Sequence, residues 1–321
     1  MFSISAFNRT VILLSVVLLL AVSWGFFRVP EANLQMIVWG SLSSGLLTEV
    51  SSFKHRAGKA AVLACGSAAV QFLLSVSGDW PLGQIMLLTA SAYFTFLTLS
   101  DHRAACVIMI VGCLSFFAPG GFLPAVSRSI DIFAALIVVM AVTSANCTAE
   151  RKKGSVRPEM HYNGGQALTL AAELGIGAMI FRLLQLEQGA WILLTILFIR
   201  MSETPGSPAG KLAVQRASAV PAGIIAGGFL LGTFYRIDAR IIYLVPFIGA
   251  AGFFILYNYG NFFLFSMLFM IAMTLFSDWM SGTYTRFDFL ESFFSRSVST
   301  LLGALLEILL HPPVFENKNA L

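Results

Sequence analysis

Charge is what this sequence has least of. Asp, Glu, Lys and Arg together make up 11% of its 321 residues, whereas hydrophobic residues make up 57%. A soluble globular domain has about 25% charged residues, so the composition excludes an ordinary soluble fold and predicts a membrane protein. The net charge of +4 does not indicate nucleic-acid binding, because the basic residues form short clusters between apolar runs.

Cysteine and histidine are also rare, with four residues of each type. The cysteines lie within or beside apolar runs and form no CxxC pair, and no histidine lies near them at metal-ligand spacing. We therefore expect no metal site and no cofactor.

Catalytic motifs are missing as well. The chain has no GxSxG, HExxH, Walker A or strand-to-helix GxGxxG pattern. A membrane acyltransferase or hydrolase would need a histidine beside an acid, and the directly adjacent pair of this kind is Asp101 and His102. We keep that pair as an alternative and expect a protein that is not an enzyme.

Apolar segments of membrane-spanning length are abundant. A bilayer core needs about 20 apolar helical residues, and fewer where neighbouring helices bury the segment. The sequence predicts an all-α polytopic membrane protein with about twelve transmembrane helices, over residues 10–27, 33–48, 59–76, 82–99, 104–122, 129–147, 166–184, 189–201, 213–233, 240–257, 261–278 and 293–311.

The loop charges predict the orientation of these helices. With an even number of spans both termini lie on one side, and the side richer in Lys and Arg is cytoplasmic. Placing the termini inside puts thirteen of the twenty basic residues on the cytoplasmic side, Arg200 and Arg216 among them. We therefore predict an N-in, C-in protein.

Two pairs of similar segments indicate an internal repeat. FKHRAGKAAVLACGSAAVQFLL at 53–74 matches AVQRASAVPAGIIAGGFLL at 213–231, and SRSIDIFAAL at 127–136 matches SRSVSTLLGAL at 295–305. We predict two parallel six-helix halves, an arrangement in which transporters place a pathway between the halves. The predicted parts are residues 1–147, a cytoplasmic linker at 148–166, residues 167–311 and a cytoplasmic tail at 312–321.

Three carboxylates lie within the apolar segments, at Glu173, Glu307 and Asp131. Ionisable groups inside a membrane are costly and are functional candidates for that reason, so we predict that these three couple transport to protons. The alternative is a structural ion pair with an arginine, for example Arg182 or Arg296, or for Asp131 with Arg128.

Arginines begin the helices of the repeat, and we predict that they bind an anionic substrate. Arg56 and Arg216 lead one matched pair of helices, and Arg128 and Arg296 lead the other. A helix N-terminus and a guanidinium together favour an anion. The alternative is an interfacial arginine held by lipid phosphate or by a loop acid.

The helix after Arg216 contains small residues at close spacing. Gly223 and Gly227 are four residues apart, and Pro221 precedes them. Small residues at this spacing let helices approach closely, and a proline loosens the hydrogen-bond ladder. We expect a helix-packing role, with a hinge as the alternative.

Residues 188–232, QGAWILLTILFIRMSETPGSPAGKLAVQRASAVPAGIIAGGFLLG, resemble the signature of the fusaric acid resistance and aromatic acid exporter family. In that pattern Trp191 opens a short apolar span, a polar loop follows, and Arg216 leads a glycine-rich helix. SRSVSTLLGALL, with Arg296 and Gly303, is similar to the last helix of the family.

The resemblance implies a multi-pass exporter of aromatic or other organic acids in the bacterial inner membrane, and it adds Trp191 to the substrate-binding candidates. It also implies a periplasmic adaptor of the membrane-fusion type and an outer-membrane channel as partners. Larger members have a soluble cytoplasmic domain after each half, so we expect a compact member.

The sequence thus favours a proton-driven exporter of small organic anions, with membrane lipid as its environment and a homo-oligomer as a possible assembly. Two alternatives remain open. One is a membrane scaffold subunit that holds an adaptor and a channel without transporting anything itself, and the other is a translocase for lipids or polymer precursors.

Overall fold

The computed structural model describes residues 30–47, 50, 52–117, 120–145, 162–203, 208–234, 248–249, 251–252, 255–256, 261–280 and 286–310. These residues form ten α-helices, a short 3-10 turn and no strand. The helices are α1 (Pro30–Leu47), α2 (Phe53–Val76), α3 (Pro81–Thr98), α4 (His102–Cys113), α5 (Phe122–Ala145), α6 (Gly164–Leu183), α7 (Trp191–Ser202), α8 (Ala209–Phe234), α9 (Phe262–Met280) and α10 (Arg286–Leu310). The predicted all-α fold is confirmed.

Local sequence signals explain several helix starts. Pro81 occupies the first turn of α3, where its missing N–H is not needed. Asn163 and Gln166 form a capping box at the start of α6, with hydrogen bonds of 2.8 and 3.0 Å. Gly121, with a φ of 120°, precedes α5, and glycine adopts this conformation without a steric penalty.

The predicted segments correspond to these helices with shifted ends. Ten segments coincide with the ten helices, 10–27 lies outside the described residues, and of 240–257 only 248–249, 251–252 and 255–256 are described. α5 and α10 both begin seven residues before the predicted segments, at Phe122 and Arg286 and not at residues 129 and 293, because each helix includes charged residues that precede its apolar run. The predicted helix over 104–122 ends early, as α4 followed by a 3-10 turn over Leu114–Phe117.

Four helical segments are long and apolar enough to cross a membrane: Phe53–Val76, Phe122–Ser144, Gly164–Leu183 and Phe293–Leu310. Their outer faces expose large apolar side chains, such as Ile137 on α5 and Leu305 on α10. A soluble monomer rarely exposes apolar surface of this extent. The described helices therefore indicate a membrane protein.

Two short helices lie at the centre of the described bundle. In α7 all residues from Trp191 to Met201 are buried, and in α4 Arg103 alone is not buried. The two helices contact each other, and α7 also contacts α6, α8 and α10. A helix that is apolar on every side needs neighbours all round, so α7 brings side chains of several helices together.

The helices contact each other in two similar patterns. On one side α5 packs against α1 and α2, and α2 packs against α4; on the other side α10 packs against α7 and α8, and α8 packs against α9. The patterns correspond if α1, α2, α4 and α5 match α7, α8, α9 and α10. The similar segments of the sequence, 53–74 with 213–231 and 127–136 with 295–305, lie in matching helices.

Candidate functional site

Two buried polar groups lie beside α7. The first, which we term the carboxylate cluster, consists of Glu173, Arg200 and Glu307 from α6, α7 and α10. The second, termed the aromatic arginine site, consists of Arg216 of α8 with Phe198 of α7 and Phe269 of α9.

In the carboxylate cluster one guanidinium contacts two acids. Arg200 Nη2 donates a hydrogen bond of 3.0 Å to Glu173 Oε2, and Arg200 Nε lies 2.9 Å from Glu307 Oε1. All three side chains have 0% exposure. Arg200 therefore links three helices through charged contacts.

A close helix contact brings Glu307 to Arg200. Gly303 lies one turn before Glu307 on α10, and a Cβ atom at Gly303 would be 2.6 Å from the carbonyl oxygen of Ile192 and 3.0 Å from Thr195 Cβ. Because small residues allow helix backbones to approach, α10 can lie directly against α7. Gly303 thus allows α10 to place Glu307 beside Arg200.

The sequence predicted the acids of this cluster but not their partner. Glu173 and Glu307 lie together, and the arginine between them is Arg200 rather than Arg182 or Arg296. Arg182 instead donates to Gln84 Oε1 at 2.7 Å. The side chain of Arg200 is buried between helices, and its predicted place on the cytoplasmic side remains a prediction. Its position in the apolar run WILLTILFIRMS was the available signal.

Asp131, the third predicted proton-coupling residue, lies apart from the cluster. It is half-buried on α5, three residues after Arg128, with which it interacts electrostatically. Its Oδ2 atom has no hydrogen-bond partner within the described part of the chain. Its proton-coupling role remains a prediction.

Arg216 is a buried cation between aromatic rings. Its side chain has 0% exposure, and its Cζ atom lies 4.9 Å from the ring centroid of Phe198 and 6.0 Å from that of Phe269. Its Nε, Nη1 and Nη2 atoms have no hydrogen-bond partner among the described residues. Arg216 lies within α8 and inside the bundle, and its predicted place on the cytoplasmic side remains a prediction. The guanidinium therefore has cation–π contacts but no described acceptor.

Further aromatic rings extend from this site. Phe198 contacts Phe265 and Phe269 with centroid separations of 5.6 and 5.2 Å, and Trp191 contacts Phe269 at 6.2 Å. Trp191 is 2% exposed, and its Nε1 atom donates to Gln188 Oε1 at 3.3 Å. The ring of Phe269 thus separates Trp191, a predicted substrate-binding residue, from Arg216.

The guanidinium of Arg56 has hydrogen-bond acceptors, whereas that of Arg216 has none among the described residues. Its Nε and Nη2 atoms donate to the carbonyl oxygen of Val50 at 3.3 and 2.7 Å, and its Nη1 atom donates to the carbonyl of Thr143 at 2.8 Å. These bonds join the start of α2 to the last turn of α5. Arg56 is therefore held by backbone carbonyls, an arrangement that neither the substrate-binding prediction nor its lipid-phosphate or loop-acid alternative described, and its predicted substrate contact remains a prediction.

Arg128 and Arg296 contact hydroxyl groups on neighbouring helices. Arg128 Nη1 donates to Ser75 Oγ at 3.0 Å, and Arg296 Nη1 donates to Thr274 Oγ1 at 3.4 Å. Both side chains are buried. Their matching geometry agrees with the similarity of the two segments, and their predicted substrate contacts remain predictions.

The glycines after Arg216 pack α8 against α9. A Cβ atom at Gly223 would be 2.5 Å from the carbonyl oxygen of Met267, and one at Gly227 would be 2.9 Å from Thr274 Cβ. Pro221 lies inside α8, which continues through it to Phe234. This geometry supports the helix-packing role over the hinge.

Asp101 and His102 do not contact each other in the way a catalytic pair requires. Asp101 Oδ1 caps α4 through the N–H groups of Arg103 and Ala104, and Asp101 Oδ2 lies 2.6 Å from Lys59 Nζ. Burial raises the pKa of Asp101, but its hydrogen bond to Lys59, the charge of Lys59 and the Ala104 N–H together lower that pKa below its ordinary value. The carboxylate therefore connects a helix start to α2.

Comparison of the chain with protein-family models, curated proteins and solved structures gave no match. The two buried groups beside α7 therefore carry the functional inference.

Proposed function

We propose that the chain is a multi-pass transporter of the bacterial inner membrane that exports small organic anions, aromatic carboxylates in particular, in exchange for protons. The observation that carries this proposal is Arg216, a guanidinium with 0% exposure, no hydrogen-bond partner among the described residues, and two phenylalanine rings beside it.

A buried arginine without a hydrogen-bond acceptor favours the binding of an anion. Burying an uncompensated charge is strongly unfavourable, and a partner that restores the charge balance and the hydrogen bonds relieves that cost. A carboxylate matches the guanidinium because both groups are planar and can form two parallel hydrogen bonds. Binding of such an anion would complete the site.

The surrounding rings favour an aromatic anion. Phe198 and Phe269 flank Arg216, and Phe265 and Trp191 continue the aromatic surface. Aromatic side chains attract a flat ring through stacked and edge-to-face contacts, each of about 0.5–1.5 kcal/mol. The resemblance of residues 188–232 to aromatic acid exporters favours the same substrate class.

The proposed architecture has about twelve spans in two parallel six-helix halves, with both termini in the cytoplasm. The corresponding helix contacts of α1, α2, α4 and α5 with those of α7, α8, α9 and α10 support the repeat. Halves of this kind place a substrate site near the centre of the bilayer. The proposed partners are a periplasmic adaptor and an outer-membrane channel, and the chain could form a homo-oligomer.

Binding of benzoate to the purified full chain, measured by titration calorimetry, tests the anion site directly. Benzamide and acetate are the comparison ligands, because the first lacks the charge and the second lacks the ring. We expect each to bind at least tenfold more weakly than benzoate, a difference of about 1.4 kcal/mol. We expect Arg216→Met to weaken benzoate binding by a factor of about 30 or more.

Transport is then measured as efflux of labelled benzoate from proteoliposomes under a pH gradient, relative to protein-free liposomes. Efflux that requires Arg216 supports the exporter. Equal binding to the native chain and to Arg216→Met would overturn the site. A chain that neither binds nor moves any of the three probes would instead favour the scaffold subunit or the lipid or polymer-precursor translocase.

A further inference from the structure

Arg182 is a charged residue at the end of a helix that is long and apolar enough to cross a membrane. It lies in the last turn of α6, within the apolar segment Gly164–Leu183. Its side chain is exposed, and so are those of the next two residues, Leu183 and Leu184. A charge inside the hydrocarbon of a bilayer is costly, so we expect the guanidinium to lie at the level of the lipid headgroups.

A buried amide on α3 orients this guanidinium. Gln84 is 1% exposed. Its Oε1 atom accepts a hydrogen bond of 2.7 Å from Arg182 Nη2, and its Nε2 atom donates to the carbonyl oxygen of Leu74 at 2.9 Å. The Cζ atom of Arg182 also lies 5.1 Å from the ring centroid of Phe181. Because a neutral amide accepts one of the five guanidinium N–H groups, it fixes the side chain in place without balancing its charge.

The groups next to Arg182 in the described part of the chain do not balance this charge either. The carbonyl oxygens of residues 180–182 accept hydrogen bonds from the backbone N–H groups of residues 184–186, so the cation is not needed to cap the end of α6. Asp79 and Glu187 are exposed acids in the adjoining turns. Among the described residues neither of them forms an ion pair with Arg182.

Exposed apolar side chains flank both partners of the hydrogen bond between α3 and α6. Leu82 and Met86 lie on either side of Gln84 along α3, and Met179 and Leu183 lie on either side of Arg182 along α6; all four are exposed. Residues four apart lie on one side of a helix, so each helix has an apolar stripe beside the polar contact. In a bilayer, acyl chains cover such stripes.

We infer that Arg182 and Gln84 form a binding site for the phosphate group of an anionic phospholipid. A guanidinium can form two parallel hydrogen bonds with the oxygens of a phosphate. The flanking apolar stripes favour a phosphate with acyl chains over a free phosphate ion. The site lies on the outer surface of the bundle, so the inference goes beyond the proposed function and does not depend on it.

Native mass spectrometry of the purified full chain in an uncharged detergent tests the site, because it resolves the chain with one bound lipid from the lipid-free chain. We expect phosphatidylglycerol to bind more tightly than phosphatidylcholine, whose choline group already balances the phosphate charge. Glycerol 3-phosphate has the headgroup phosphate without acyl chains and should not compete. Equal binding of the two lipids, or displacement of phosphatidylglycerol by an equal concentration of glycerol 3-phosphate, would overturn the lipid assignment.

Two variants and a control address the contact itself. Arg182→Gln removes the cation and should weaken phosphatidylglycerol binding about tenfold, because hydrogen bonds to a charged group are lost. Gln84→Glu keeps the shape of the amide and places a carboxylate beside the guanidinium, so it should weaken binding to a similar extent by balancing the charge. Lys211→Gln removes one positive charge from an exposed position at the start of α8 and should leave the affinity unchanged.

The inference is overturned if Arg182→Gln or Gln84→Glu retains the native affinity. It is also overturned if Lys211→Gln weakens binding as much as Arg182→Gln, since net charge alone would then explain the effect. Thermal unfolding in lipid-free detergent checks that each variant folds, and Arg182→Lys, which retains the charge, should bind more tightly than Arg182→Gln. Benzoate binding at Arg216 is measured separately, so either assignment can fail while the other holds.

Discussion

Arg56 and Arg216 occupy matching places in two similar segments, yet their guanidinium groups have opposite surroundings. Arg56 donates three hydrogen bonds to the carbonyls of Val50 and Thr143. Arg216 is equally buried, and among the described residues it has aromatic rings and no acceptor. The first arginine connects two helices through hydrogen bonds, and the second has no hydrogen-bond acceptor among the described residues.

Replacing Arg216 should increase the stability of the ligand-free protein. Arg216→Met keeps a long side chain beside Phe198 and removes a buried charge that has no hydrogen-bond acceptor in the described part of the chain, so we expect a gain of about 1–4 kcal/mol. The same variant should lose benzoate binding by a factor of about 30 or more, since about 2 kcal/mol or more is lost when a buried charge pair is broken. Thermal unfolding in detergent and calorimetry measure the two effects, and a destabilised variant would contradict the assignment.

Replacing Arg56 should lower the stability of the protein and leave benzoate binding unchanged. Arg56→Met leaves two carbonyl oxygens, of Val50 and Thr143, without their donor. We expect a loss of about 2–4 kcal/mol in stability, because hydrogen bonds from charged groups are the stronger ones and their loss strands buried acceptors. Benzoate binding by the folded fraction should persist. Loss of binding at full stability would place Arg56 in the substrate site instead.

Replacing Glu173 should separate exchange from pumping. Glu173→Gln removes one of the two acids that contact Arg200, and Glu173 is a predicted proton-coupling residue, so we expect proton-driven transport to be lost. Proteoliposomes with this variant should still exchange labelled for unlabelled benzoate, while accumulation driven by a pH gradient is lost. Glu291→Gln provides the exposed control on α10. Unimpaired gradient-driven transport by Glu173→Gln would remove the cluster from the coupling mechanism.

The contact at Gly303 should be sensitive to a single methyl group. In Gly303→Ala the new Cβ atom would meet the Ile192 carbonyl oxygen at 2.6 Å, so α10 must move away from α7. We expect a loss of about 1–3 kcal/mol in stability. Gly58→Ala is the control, because no atom lies within 4 Å of its Cβ position, and in a helix it should stabilise by about 0.5–1 kcal/mol.

The bond between Asp101 and Lys59 predicts a pH dependence of stability in acid. The folded state lowers the pKa of Asp101 below its ordinary value of 3.8, so its contribution is present above that pH and is lost as the pH falls further. At neutral pH we expect Asp101→Asn to cost less than about 1 kcal/mol, because the pair is partly exposed. The difference in thermal unfolding between the two proteins should begin to shrink as the pH falls below 3.8 and should disappear at a pH low enough to protonate Asp101 in the folded state. A gap that persists there would contradict the ion-pair origin.

Most helices could be predicted from the sequence because a helix is a local structure. Long apolar runs, Pro81 at the start of α3 and the capping pair Asn163 and Gln166 act over a few residues. The ends were harder to predict, as at α10, since charged first turns such as the one at Arg286 add helix beyond the apolar run. The membrane class followed from composition alone.

The candidate site could be predicted only in part. The sequence drew attention to Glu173, Glu307 and Arg216, because charged residues stand out in apolar segments. It could not select Arg200 as the partner of both acids, nor distinguish Arg216 from Arg56, whose surroundings differ although their segments are similar. Both questions depend on contacts between helices that are distant in the chain.

The sequence by itself therefore determined the helical membrane class and the few positions where charge enters the bundle. The tertiary structure decided which charges are paired: Arg200 with Glu173 and Glu307, Arg56 with two carbonyls, and Arg216 with aromatic rings. The reason is physical, because the free energy of a buried charge depends on the atoms that the packing of other helices places within hydrogen-bonding distance.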